Sequence, residues 1–160
     1  MGNVPISRAG FEKLKRELEY LKKFAVPENI KDIEEARAHG DISENAEYAA
    51  AKEKQSFIHG KIRETENNLA NSVIIDMKGL TNDKVVFGST VTIEEVKTEE
   101  VTRYQLVGPF ESDMKENKVS VTSPIGKSLI GKMAGDEVKV DTPGGIREFE
   151  VIDISINGTV

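Results

Sequence analysis

The sequence predicts an α+β protein: an N-terminal antiparallel α-helical coiled-coil hairpin, then a compact domain of β-strands with one short helix. Three observations predict it. Apolar residues recur at helical spacing through the first half of the 160-residue chain. The second half is rich in Val, Thr and Gly, which suits strands and turns. Between the halves, Lys78-Gly79-Leu80-Thr81-Asn82-Asp83 has turn composition. The expected divisions are 1–76 for the hairpin, 77–83 for a linker and 84–160 for the second domain.

The first helix is expected to start at Ser7, a good N-cap. Phe11, Leu14, Leu18 and Leu21 then follow at alternating spacings of three and four, the stripe that keeps one helix face on a partner. Pro27 lacks a backbone donor and crowds the preceding turn, so a kink or break is expected there. Ile30, Ile33 and Ala36 resume the stripe, and His39-Gly40 ends it, with Gly suited to the C-terminal cap. A second helix is expected from about Ile42 to about Ser72, with Ala46, Ala49, Ala50, Phe57, Ile58, Ile62 and Leu69 as its apolar positions. Two helices joined by so short a turn must fold back antiparallel. Each has roughly 30 residues and so is ~45 Å long at ~1.5 Å per residue. A narrow seam of that length is too long for the second domain to wrap, so the hairpin is expected to project with its turn in solvent.

Strands are expected at Lys84–Ile93, with Gly88 as a bulge, and at Val101–Val107, Val119–Thr122, Glu137–Val140 and Arg147–Ile156. Pro143-Gly144-Gly145 reads as the turn between the last two. Ser123 as N-cap and Pro124 as first residue announce one short helix, with Ile125, Leu129 and Ile130 facing inward.

Composition excludes several functions. The chain has no Cys, so a disulfide scaffold, a thiolate zinc site and a cysteine nucleophile are ruled out. Its apolar runs are too short to span a bilayer, and Met1-Gly2-Asn3-Val4-Pro5 does not read as a secretory signal, so a cytoplasmic location without membrane attachment is expected. The net charge of −6 argues against coating nucleic acid by charge alone. His39 and His59 lie far apart along the predicted helices and cannot form a pair, and no phosphate-binding loop is present.

The informative stretch runs from Glu35 to Tyr48, where Asp41 and Glu44 stand three residues apart at the start of the predicted second helix. Two readings fit that spacing. In one, the pair forms a capping box. In the other, two carboxylates at the tip of an arm supply part of the oxygen shell of a hard dication such as Mg²⁺.

The segment Glu35-Ala36-Arg37-Ala38-His39-Gly40-Asp41-Ile42-Ser43-Glu44-Asn45-Ala46-Glu47-Tyr48 resembles the tip signature of the Gre transcript-cleavage factors of bacterial RNA polymerase. The resemblance continues through Ala50–Glu53, Gln55–Ile58, Val86–Val91, Ser123–Lys132 and Thr142–Gly145, and so covers nearly the whole chain. The acidic balance and Ile125-Gly126-Lys127 fit the GreA branch better than the more basic GreB branch.

The resemblance implies an FKBP-like second domain that docks on the rim of the polymerase secondary channel, and a hairpin that enters the channel. It implies that the factor is no enzyme itself but stimulates the polymerase to cleave the 3′ end of its own backtracked RNA. Asp41 and Glu44 match the family's two acidic tip residues, which implies that they help hold a weakly bound Mg²⁺ shared with the polymerase; no cofactor is expected to bind the chain stably alone. Lys52 falls where the GreA branch places a basic residue facing the RNA, and Lys54 and Arg37 lie close by in sequence. For Lys54 and Arg37, RNA contact and a solvated helix face stand as equals. Ser123, Pro124 and Ile125 match the docking region, with helix initiation and core packing as the competing reading. A monomer is implied. The rivals are a prolyl isomerase, for which the second domain has few aromatics, a channel-plugging inhibitor, and a coiled-coil chaperone, for which the tip is too polar.

Overall fold

The computed structural model describes residues 2–41 and 45–156. By contacts the chain divides into two units, one formed by residues 12–71 and the other by 2–11 with 72 onward. The first residues, which the sequence groups with the hairpin, therefore pack in the second unit.

The first unit is the expected helical hairpin. Helix α1 (Arg8–Tyr20) runs into a π-helical turn (Leu21–Ala25) and then α2 (Val26–Ala38), and α3 (Ala46–Ala70) returns against α2 and the π turn. Pro27 neither breaks nor ends the helix. It sits in the first turn of α2, directly after the π turn, where the Val26 N–H bonds to the Leu21 carbonyl five residues back. The wider turn absorbs the residue that cannot donate. The seam also differs from the predicted one. On α2 it is Asn29, Ile33 and Ala36, while Ile30 is 46% exposed. On α3 it is Ala51, Ile58, Ile62 and Thr65, while Phe57 is 71% exposed. Spacings of three, four and seven link the buried positions, as in a coiled-coil stripe.

The second unit holds two sheets. Strands β1 (Val4–Ile6) and β2 (Ser72–Ile74) pair in parallel. Neither strand is expected from the sequence. The larger sheet has five strands: β3 (Ser89–Glu95), β4 (Val101–Val107), β5 (Lys118–Ser120), β6 (Glu137–Thr142) and β7 (Gly145–Ile156), in the order β5-β4-β3-β7-β6. All pairs are antiparallel except β4 with β5. Strand β3 starts later than expected. Val85 instead makes a lone backbone exchange with Lys132 and Gly131, and Gly88 (φ 89°) turns the chain before the strand. The irregularity in the β3–β7 ladder lies between Thr92 and Ile93, not at Gly88.

Strand β3 alternates buried and half-buried residues, which sends Val91 and Ile93 into the core. Leu106, Val119, Val138, Val140, Phe149, Val151 and Ile154 meet them there. The short helix α4 (Pro124–Leu129) closes this core with Leu129. Gly126 lets it approach, because a Cβ there would meet the Ser120 carbonyl oxygen at 2.0 Å.

Candidate functional site

The tip of the hairpin is built from two helix ends. α2 closes at His39, whose N–H bonds to the Ala36 carbonyl at 3.2 Å. Gly40 follows at φ 138°, a conformation that a side chain would strain, and so acts as the predicted helix stop. Asp41 comes next and is exposed. Glu44 lies outside the described residues, together with Ile42 and Ser43.

α3 begins at Ala46 with Asn45 as its N-cap, not near Ile42 with Asp41 as the cap. The Asn45 Oδ1 accepts from the Tyr48 N–H at 3.0 Å. Asn45 therefore takes the N-cap of α3, while the capping box of Asp41 with Glu44 rests on a residue outside those described. The same Asn45 side chain donates through Nδ2 to the Ala36 carbonyl. Lower down the seam, Asn29 Nδ2 donates to the Ala51 carbonyl at 3.0 Å.

His39 is exposed and its Nδ1 lies 2.9 Å from the Glu47 carboxylate, in the first turn of α3. His39, Asp41, Asn45, Ala46 and Glu47 line a concavity of about 410 Å³. The helix N-terminus beside it favours negative charge. Among the described residues no three His, Asp or Glu side chains gather closely enough to hold a metal ion. Asp41 is a hard oxygen donor at an exposed position, and one carboxylate fits a Mg²⁺ shell only as a part, with further oxygens supplied from elsewhere.

The basic residues occupy different settings. Lys52 is exposed and donates to Gln55 Oε1 at 2.7 Å, on the solvent side of α3. The Arg37 guanidinium lies 5.8 Å from the centroid of the Tyr48 ring, a contact that steadies the same end of the hairpin. Lys54 is also exposed, and it lines a groove together with Asp32, Glu35 and Glu47.

In the second unit, Ser123 caps α4 as the sequence predicts. Its Oγ accepts from the Gly126 N–H at 3.1 Å and donates to the Ser120 carbonyl at 2.6 Å. Pro124 is the exposed first residue of the helix, and half-buried Ile125 packs on the core. Sequence reasoning missed Asn45 as the cap, the Glu47 partner of His39 and the Tyr48 ring under Arg37. Asn before Ala46-Glu47-Tyr48 is itself a helix-start signal, with an acid in the first turn, and was open to that reading.

Comparison with known proteins points one way. The family pattern described as "Transcription elongation factor, GreA/GreB, C-term" matches residues 80–156, and "Transcription elongation factor, N-terminal" matches residues 4–74. The transcription elongation factor GreA of Syntrophus aciditrophicus is 69% identical, covering 98% of this chain and 98% of that protein. The transcription elongation factor GreA of Methylococcus capsulatus is 51% identical, over 96% of this chain and 98% of its own. Among solved structures, GreA factor homolog 1 (Gfh1) of Thermus thermophilus is 31% identical over 96% of this chain and 99% of that one, with a TM-score of 0.44.

Proposed function

Because the chain belongs to the GreA/GreB family of transcription elongation factors, we propose that it rescues backtracked bacterial RNA polymerase by stimulating cleavage of the nascent RNA 3′ end. In this reading the protein is not an enzyme. It lends groups to a catalytic centre that belongs to the polymerase.

The observation that carries the proposal is the tip. An exposed Asp41 follows directly on a glycine-stopped helix, at the turn of an antiparallel hairpin whose two ends are tied by Asn45. A carboxylate so placed is exposed at the solvent face of the tip. Asp41, with Glu44 three residues on, would supply oxygens to a Mg²⁺ shared with the polymerase once the hairpin enters the secondary channel. A dication held there activates water and stabilises the leaving oxygen of a phosphodiester. The chain's part is to bring two negative oxygens to the right place at little cost in ordering.

Lys52 would face the extruded RNA, where a cation positions a phosphate without reading sequence. Arg37 steadies the tip through Tyr48 and adds positive charge beside it. Ser123, Pro124 and Ile125 would lie at the channel rim, with Pro124 the exposed member of the three. The factor would act in the cytoplasm as a monomer on one polymerase. No described helix is long and apolar enough to cross a membrane.

The test is direct. The protein is added with Mg²⁺ to a stalled, backtracked polymerase carrying 3′-extruded RNA, and the transcripts are resolved by length. Shortened transcripts that resume elongation are expected. Unchanged transcripts with slowed elongation would instead mark a channel-plugging inhibitor.

A further inference from the structure

We infer that Asn45 is a positioning residue for the tip carboxylate of Asp41: its one side-chain amide caps both helices of the hairpin and so ties together the helix ends on either side of Asp41. The inference deepens the proposed transcript-cleavage role and rests on it.

The Ala36 carbonyl belongs to the last turn of α2, where backbone acceptors lack partners within the helix. Ala36 is only 3% exposed, so water cannot freely serve it. Two donors reach it: the His39 N–H at 3.2 Å and the Asn45 Nδ2. The other end of the Asn45 amide accepts from Tyr48 N–H at 3.0 Å, an unpaired donor of the first turn of α3. A single planar group thus satisfies the C-terminus of one helix and the N-terminus of the next.

Residue chemistry makes the choice specific. Ser, Thr, Asp and Asn all cap helices well. Asp has no donor when ionised, and the Ser and Thr hydroxyls are shorter than the asparagine amide. Only Asn joins an acceptor to a donor at this reach. A requirement for capping alone would not discriminate among the four. The bond between residues 45 and 36 ties the chain on either side of Asp41. Such a tie narrows the positions the Asp41 carboxylate samples, and catalytic geometry is sensitive at the ångström scale.

Asn45→Ser tests this, because serine keeps the cap and loses the reach to Ala36. In the free protein, amide hydrogen exchange is expected to rise about fivefold at His39, the size expected for loss of one neutral hydrogen bond, while Tyr48 and the α3 shaft keep their protection. With backtracked polymerase, the Mg²⁺ concentration for half-maximal cleavage is expected to rise by a similar factor with polymerase affinity unchanged. Both changes together support the inference. Any other pairing overturns it: wild-type behaviour in both makes Asn45 a helix cap only, and a change in one alone separates the bond from the metal. Should serine shorten α3, Asn45→Asp keeps the cap acceptor, lacks the donor and repeats the exchange measurement with the same two outcomes. Asp41→Ala run in parallel distinguishes the failures. If that variant cleaves normally, the parent reading is wrong; if it is inactive while Asn45→Ser has wild-type Mg²⁺ dependence, only the positioning role is lost.

Discussion

Asn29 donates its side-chain amide to the carbonyl of Ala51 on the facing helix, at 3.0 Å and in a site only 2% exposed. A buried polar residue in a largely apolar seam is stable only in the register that gives it a partner, so it favours one alignment of the helices. Asn29→Ala is expected to destabilise the hairpin by about 1–3 kcal/mol, from the lost bond and the space left behind. Asn29→Leu is expected to lose far less, because an apolar residue suits that seam. Urea unfolding followed by circular dichroism separates the two; equal losses would deny Asn29 its role in register.

Removal of the tip acids is expected to uncouple activity from binding. Asp41 is exposed and Asn45 holds the cap, so Asp41→Ala takes no cap from α3. It is expected to reduce stimulated cleavage by at least about 100-fold, the order of loss seen when a group that stabilises the transition state is removed. Glu44→Ala is expected to behave alike. Both should still compete for polymerase with the wild-type protein. Normal cleavage by either variant, with folding intact, would strike that acid from the mechanism.

The basic residues should rank by setting. Lys52 and Lys54 are both exposed on α3, and Lys54 also lines a groove with Asp32, Glu35 and Glu47, whose negative charge lies on its side of the hairpin. Lys52→Ala is therefore expected to weaken cleavage several-fold and to flatten its salt dependence, as loss of one phosphate contact does. Lys54→Ala should change little. Cleavage rates measured over a range of salt check the order, and a larger effect at Lys54 would reverse it.

The parts of this fold that were legible in sequence are those whose signal is local. Gly40 stops a helix because of its own backbone freedom, and Ser123-Pro124 starts one because of the cap and the fixed φ. Pro143-Gly144 turns β6 into β7 just where the composition says so. The misses depend on partners. Ile30 looks like a seam residue until α3 is in place, and then Asn29 occupies the seam because the Ala51 carbonyl is waiting there. Strands β1 and β2 are three residues each and exist only through their mutual pairing across the length of the hairpin. Pro27 was read as a kink or break, and the helix continues past it because a π turn, which tolerates it, leaves no mark in composition. The start of α3 was placed near Ile42 because Asp41 and Glu44 drew attention from Asn45, whose side chain caps the helix that begins at Ala46.

Glu95 and Arg147 give a pH prediction for the second unit. The guanidinium donates to the carboxylate at 2.9 and 3.0 Å, and Thr98 adds a bond at 2.8 Å. Those hydrogen bonds, Arg147 first, hold the Glu95 carboxyl at about 2 against an ordinary 4.5. The folded-state value lies below the unfolded one, so the contribution to stability is complete above about pH 4.5 and is lost as pH falls toward 2. Glu95→Gln is expected to lower stability at neutral pH and to flatten its decline through that acid window. Urea midpoints taken from pH 6 to pH 2 measure it; an unchanged slope would place the acid sensitivity elsewhere.

Docking and folding can be separated at α4 by only one of its three candidate residues. Ser123→Ala removes the cap and is expected to cost about 1 kcal/mol, so a binding defect there is confounded. Ile125→Ala removes apolar atoms packed on the core and is expected to cost about 1–3 kcal/mol, with the same difficulty. Pro124 is exposed at the first helical position, where alanine is well tolerated. Pro124→Ala is expected to leave stability within about 0.5 kcal/mol and to weaken polymerase binding several-fold. Binding measured by competition against labelled wild-type protein decides it. If Pro124→Ala binds as well as wild type, this helix start is a structural element alone, and the rim contact must be sought on another face of the second unit.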